Sequence, residues 1–209
     1  MLVGLGGVPA AQAAQAAPAT QDPAWYAGVG VGRADAKRTT SWAQTMDAAL
    51  LTGGFTSSTL VDSHGTAWKL FGGYQFSEIF AVEAGYHDLG RYTGSTTIAA
   101  PRASLASGTW DASAASIAAV ATLPIVNRLS AIAKGGLAVT RLKVSFTGPV
   151  AFSPNETRVQ PLLGAGLKFD FTKQFAVRGE FERFNNVGDG DKTGQTPINV
   201  WSVSAQYRF

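Results

Sequence analysis

The sequence predicts an all-β fold, an eight-stranded antiparallel up-and-down transmembrane β-barrel. Three observations lead there. From Trp25 onward apolar residues recur at every second position; the connections between these segments alternate between short and long; and mid-strand charges lie on the face opposite the bulky apolar residues.

With 209 residues, 45% of them hydrophobic, 24 glycines and only 15% charged, the chain has the size of one domain and a turn-rich composition. Outside the alanine-rich start no run approaches twenty consecutive apolar residues, which excludes a helical membrane span and leaves a strand-based one open. Cysteine is absent, removing disulfide frameworks, thiol catalysis and the usual structural zinc sites. The formal charge is +3, but basic and acidic residues are interspersed, whereas phosphate-backbone binding needs clustered cations. Neither a nucleic-acid partner nor a metal or cofactor is expected.

Residues 1–21 are nearly uncharged and contain small-x-small triplets ending at Ala13, Ala14, Ala16 and Ala17, the pattern that closes a secretory signal peptide. A basic start is missing, so the segment reads either as a signal-peptide remnant or as a disordered Ala-rich tail. The barrel domain is expected over 24–209. Its strands fall at about 24–33, 66–76, 79–88, 110–124, 129–145, 157–171, 174–185 and 197–209. Alternation is clearest at 79–88, where Phe80, Val82, Ala84 and Tyr86 oppose Ala81, Glu83, Gly85 and His87. The short connections run through Ser77-Glu78, Val126 to Arg128 and Thr172-Lys173; the long ones cover about 34–65, 89–109, 146–156 and 186–196. All tight turns therefore lie at one end and all long loops at the other, as in outer-membrane barrels. Ten residues tilted by about 45° rise roughly 24 Å, close to the apolar band of such a barrel.

The charges decide which face meets lipid, because a soluble lipocalin-like barrel alternates in the same way with its apolar face inward. Lys69, Glu83, Lys134, Lys168, Arg178 and Glu180 all oppose Leu70, Tyr74, Val82, Leu137, Leu167, Val177 and Phe181. Turning the four cations to lipid would cost about 2–4 kcal/mol each near the bilayer midplane. They are expected inside, as a polar network of the lumen. The apolar faces carry aromatics near the strand ends, among them Trp68, Tyr74, Tyr86, Phe169, Phe175 and Trp201, which suits two interfacial girdles. Glycines on the charged face, such as Gly28, Gly30, Gly164 and Gly166, leave room in a narrow lumen.

Residues 70–90, LFGGYQFSEIFAVEAGYHDLG, resemble the second hairpin of OmpA-type outer-membrane barrels. The likeness continues at ATLPIVNRLSAIAKGGLAV, AVRGEFERFNNVGD and the final AQYRF, and covers the chain from Trp25 to Phe209 apart from the first two long loops. It implies export, attendance by periplasmic chaperones, and insertion by the barrel assembly machinery, which would read Phe209 supported by Tyr207. The chain stops at Phe209, so the peptidoglycan-binding domain of many relatives is expected to be absent. The resemblance also implies an interior acid–base network that blocks or gates a thin water path. Glu83, Lys134 and Arg178 match it by position, whereas Lys168 stands where a relative carries a carboxylate and Val120 where one carries lysine. A rearranged pairing of Glu83 with Lys134, Lys168 and Arg178 is therefore expected.

Catalytic chemistry finds little footing. His87, Asp88 and a loop serine are the one candidate triad for an acyl-modifying enzyme, and a histidine in the rim or network is the preferred reading. Gly28-x-Gly30-x-Gly32 has the wrong spacing for a dinucleotide loop, GDGDKTG at 188–194 lacks the remaining ligands of a calcium loop, and the Asn155-Glu156-Thr157 sequon falls in an expected loop. Trp42, Met46 and Leu50 are spaced for a short helix at the lipopolysaccharide surface, though a partly ordered loop is preferred. The expected function is non-enzymatic: a monomeric barrel among outer-membrane lipid and lipopolysaccharide, contributing to envelope integrity and passing small solutes slowly if at all. The alternative is surface recognition, as an adhesin or receptor, through the long loops.

Overall fold

The computed structural model describes residues 24–36, 44, 47–48, 51–54, 56–61, 64–100, 104–147, 155–187 and 196–209. Nine strands appear among them: β1 (Ala24–Ala36), β2 (Thr56–Val61), β3 (His64–Gln75), β4 (Phe80–Ala100), β5 (Ser104–Val126), β6 (Leu129–Thr147), β7 (Asn155–Asp170), β8 (Phe175–Val187) and β9 (Thr196–Arg208). Every pairing is antiparallel: β1 pairs with β3, each strand from β3 to β8 pairs with the next, and β2 attaches to β4. Pairing of β1 with β9 and of β4 with β5 closes β1 and β3–β9 into an eight-stranded barrel.

At the end with the tight turns, Ser77 and Thr172 accept from the amides of Phe80 and Phe175 through their hydroxyls, at 2.9 Å each, and close the hairpins β3–β4 and β7–β8. Asn127 and Arg128 form the two-residue turn between β5 and β6.

At the other end the strands run longer than the alternation suggests. The expected loop 89–109 is largely strand: β4 continues to Ala100 and β5 begins at Ser104. A bulge between Asp88 and Arg91 separates the two halves of β4, and Gly90 takes φ 87°, a left-handed conformation that a side chain would strain. Beyond the bulge, β2 replaces β3 as the neighbour of β4, pairing Leu60 with Ser95 and Ser57 with Ile98. At about 3.3 Å per residue, the 21 residues of β4 run about 70 Å, far more than a membrane crossing requires. The extra length stands above the membrane as a sheet.

The sequon likewise falls at the start of β7 rather than in a loop. Trp42, Met46, Leu50, the segment 188–194 and residues 1–21 lie outside the described residues. Between β1 and β2, Asp47, Ala48, Leu51 and Thr52 are helical.

Outward residues form an apolar wall. Val29, Val31, Leu70, Val82, Ile117, Leu137, Leu163, Leu167 and Val203 are all exposed by 44% or more, which only a lipid environment would favour in so continuous a band. Aromatic pairs mark its borders. Trp25–Tyr74, Phe169–Phe171 and Phe175–Tyr207 ring the turn end, and Trp68–Tyr86 and Phe181–Trp201 the other, with centroids 4.7–5.6 Å apart.

Candidate functional site: an ionic cluster in the lumen

The inward positions of β3, β4, β6 and β8 converge on an ionic cluster. Alternation aims Lys69, Glu83, Lys134, Arg178, Glu180 and Glu182 inward, and none is more than 6% exposed. Three cations thus face three carboxylates. Lys134 Nζ donates to Glu83 at 2.6 Å and to Glu182 at 2.9 Å, and lies 3.2 Å from Glu180. The Arg178 fork reaches Glu83 at 2.7 Å and Glu180 at 2.8 Å, and Lys69 donates to Glu180 at 2.6 Å and Glu182 at 2.9 Å. Tyr26 adds its hydroxyl to Glu83 at 3.1 Å. Each carboxylate has at least two cationic partners, so the buried charges are matched within the protein.

Five of the six residues singled out from sequence meet in this cluster. Lys168 does not. It points inward and is buried, but its partner is Asp170 at 3.2 Å, and in register it sits beside Arg178 rather than a carboxylate. A second cation adjacent to Arg178 gains nothing by entering the same cluster, so it turns toward the turn end of the lumen. The rearranged pairing therefore forms without Lys168. Glu182, fully buried and bonded to two lysines, was missed, although the i, i+2, i+4 series Arg178, Glu180, Glu182 carries the signal for it. Tyr26 gave no sequence signal beyond its inward parity.

His87 belongs to the lumen as well. Its Nε2 is 2.9 Å from Ser116 Oγ, its Nδ1 lies 3.9 Å from Glu182, and its ring meets Phe184 edge-on. Asp88 instead accepts from the Gly90 amide at 2.9 Å, so the His87–Asp88 pairing considered from sequence does not form. The acid facing His87 is Glu182.

Apolar layers bracket the ionic cluster. Toward the turn end lie Tyr26, Phe71, Ala81, Val120 and Ile132. Phe71 forms the floor: its ring is 4.8 Å from the Arg178 guanidinium carbon and 5.6 Å from Lys69 Nζ. A Cβ added at Gly28 would collide with that ring, so the glycine is what lets Phe71 lie across the lumen. Toward the long-strand end a larger plug includes Leu89, Leu162, Phe184, Ile198 and Val200, none more than 3% exposed, with Tyr92 and Trp110 above them. Val120 belongs to the lower layer, where a lysine would have offered Glu83 an alternative partner. The arrangement holds charge in place and leaves Glu83 fully engaged.

Comparison with known proteins agrees with this geometry. The OmpA-like transmembrane domain family matches residues 20–209. Outer membrane protein A of Yersinia pseudotuberculosis is 32% identical over 211 residues, covering 95% of this chain and 52% of the relative. That of Salmonella typhi is 30% identical, covering 95% and 51%. The chain thus spans about half the length of these curated relatives. Among solved structures, Neisserial surface protein A superposes with a TM-score of 0.55 at 10% identity, over 90% of this chain and all of that one. The N-terminal barrel domain of Pseudomonas aeruginosa OprF gives 0.52 at 11% identity, over 91% and 99%. At these identities the structures share the fold.

Proposed function

The chain belongs to the OmpA-like transmembrane domain family and is a multi-pass β-barrel of the bacterial outer membrane, and from that premise we propose a structural role, as a non-enzymatic closed barrel that anchors a stiff extracellular sheet and reinforces the envelope. The observation that carries this reading is the stacking of apolar, ionic and apolar layers across the lumen. A path for solutes or ions would have to part all three, and parting the ionic layer alone strands charges at a cost of about 3–5 kcal/mol per broken pair. The slow solute path therefore drops out of the proposal. The proposed role involves no catalysis: His87 is buried in the lumen, and Asp88 turns to the Gly90 amide rather than to it. A cell lacking the protein should become sensitive to detergents and large hydrophobic antibiotics, and the full chain should restore resistance. Unchanged sensitivity would remove the structural role.

Surface recognition remains the second reading, supported by β2, β4, β5 and β6 extending past the outer aromatic belt. Removing β2 and the distal halves of β4 and β5 would abolish partner adhesion, with the barrel still folded, if that reading holds. In biogenesis the proposed partners are periplasmic chaperones and the barrel assembly machinery, with Tyr207 and Phe209 as the signal. Phe209 is 73% exposed, its ring packs on Tyr207 at 5.2 Å, and its amide donates to Trp25 O at 3.0 Å.

A further inference from the structure

Above the membrane, the outward face of the long sheet carries its charges in a single row. Arg91 on β4, Asp111 on β5 and Lys143 on β6 are successive register partners, so they stand side by side at a strand spacing of about 4.8 Å. All three point away from the lumen, since the alternate residues Tyr92, Trp110 and Leu142 belong to the apolar plug. Arg91 Nε donates to Asp111 Oδ1 at 2.6 Å, with the two side chains 68% and 46% exposed. Lys143 is exposed and has no ion pair among the described residues.

The outward rows above this one are uncharged. Thr93, Thr109 and Ser145 are register partners in the next, and Ser95 pairs with Ser107 in the one after. Among the described residues, β4 beyond Arg91, β5 before Asp111 and β6 beyond Lys143 hold no Asp, Glu, Lys or Arg.

A row that reads plus, minus, plus suits neither an acidic nor a basic partner, because each would meet a like charge. It does suit a second copy of itself, displaced by one strand. A two-fold axis along the membrane normal, passing between β5 and β6, sets Asp111 of each copy against Lys143 of the other. Asp111 keeps Arg91 through its first oxygen and offers the second to the lysine. Hydroxyl rows then meet hydroxyl rows, where no charge opposes the contact. The face stands sideways on the barrel, so the partner lies in the same membrane.

We infer that the outward face of β4, β5 and β6 is the contact surface of a reversible homodimer, held by two reciprocal Asp111–Lys143 ion pairs. This replaces the monomer expected from sequence. It needs the membrane assignment but not the structural role proposed above, and the failure of one leaves the other intact.

The test uses the full chain carrying a donor or an acceptor dye at its N terminus, refolded into phosphatidylcholine vesicles and read by energy transfer. The wild-type chain should give more transfer than an unrelated eight-stranded barrel at the same density, and high salt should reduce it. D111K alone and K143D alone should each associate about tenfold or more weakly, because both attractions become repulsions. D111K donors mixed with K143D acceptors should regain the wild-type transfer, since opposite charges then face each other at both contacts. The heat-dependent gel shift checks that each variant is folded. Wild-type transfer no greater than that of the reference barrel overturns the dimer. Single variants that associate as wild type does, or a mixture that fails to recover, overturn the assigned contact.

Discussion

Glu83 and Lys134, 51 residues apart in sequence, meet at 2.6 Å in the middle of the lumen, and the same carboxylate takes Arg178 on its other oxygen at 2.7 Å. Both oxygens are thereby committed to cations on different strands, β6 and β8, while Glu83 itself stands on β4. The contact is a cross-brace of the barrel.

Glu83→Ala should lower the unfolding free energy by about 3–5 kcal/mol, because it leaves Lys134 and Arg178 buried and under-neutralised. Urea titration in lipid vesicles, followed by the heat-dependent gel shift of folded barrels, measures it. Wild-type stability would show that the cluster contributes nothing.

Glu182 and Lys69 should be energetically coupled. Glu182→Gln and Lys69→Met are each expected to destabilise, and the double variant to lose less than the sum, by about 1–3 kcal/mol. A double-mutant cycle giving additivity would place the two charges in separate environments, against the 2.9 Å contact.

Val82→Arg should cost about 2–4 kcal/mol in a bilayer, the price of a cation on the lipid face near mid-membrane. Val82 is 44% exposed while its neighbour Glu83 is 4% exposed, so the two residues divide lipid from lumen. Equal folding of V82R and wild type in vesicles would refute that division.

Asp47 pins the helical segment before β2 to that strand: it accepts from the Thr59 hydroxyl at 2.7 Å, the Ser57 hydroxyl at 2.8 Å and the Thr59 amide at 3.0 Å. The two hydroxyl bonds hold its carboxyl below the ordinary carboxylate value. A depressed folded value means the clasp contributes in full above the unfolded value and is lost as pH falls through the folded one. The protection factor of the Thr59 amide, relative to its intrinsic exchange rate at each pH, should fall in acid for the wild-type chain and already be low at neutral pH in Asp47→Ala. Slow neutral exchange in that variant would dismiss the clasp.

The transmembrane part of the fold was legible because lipid on one side and a packed lumen on the other impose strict alternation, as in Phe80 to His87. That constraint ends at the membrane border, but the hydrogen-bonded ladder does not. Residues such as Thr93, Ser95, Thr96 and Thr97 face water or neighbouring strands, so β4 continues without the period-two signal, and DLG at 88–90 reads as a turn where it makes a bulge. Inward parity picked out most of the ionic cluster, but parity fixes a face and not a height. Register, set by pairing across the whole barrel, puts Lys168 beside Arg178 and brings Glu182 level with Lys69 and Lys134. A spacing rule within one strand cannot supply that information.

Under the proposed role three stacked layers close the lumen, and single-channel recording on the refolded chain in planar bilayers reads that closure. The wild-type protein should give a flat baseline at all holding potentials that leave the bilayer intact. Reproducible unitary steps from the wild-type barrel would contradict it.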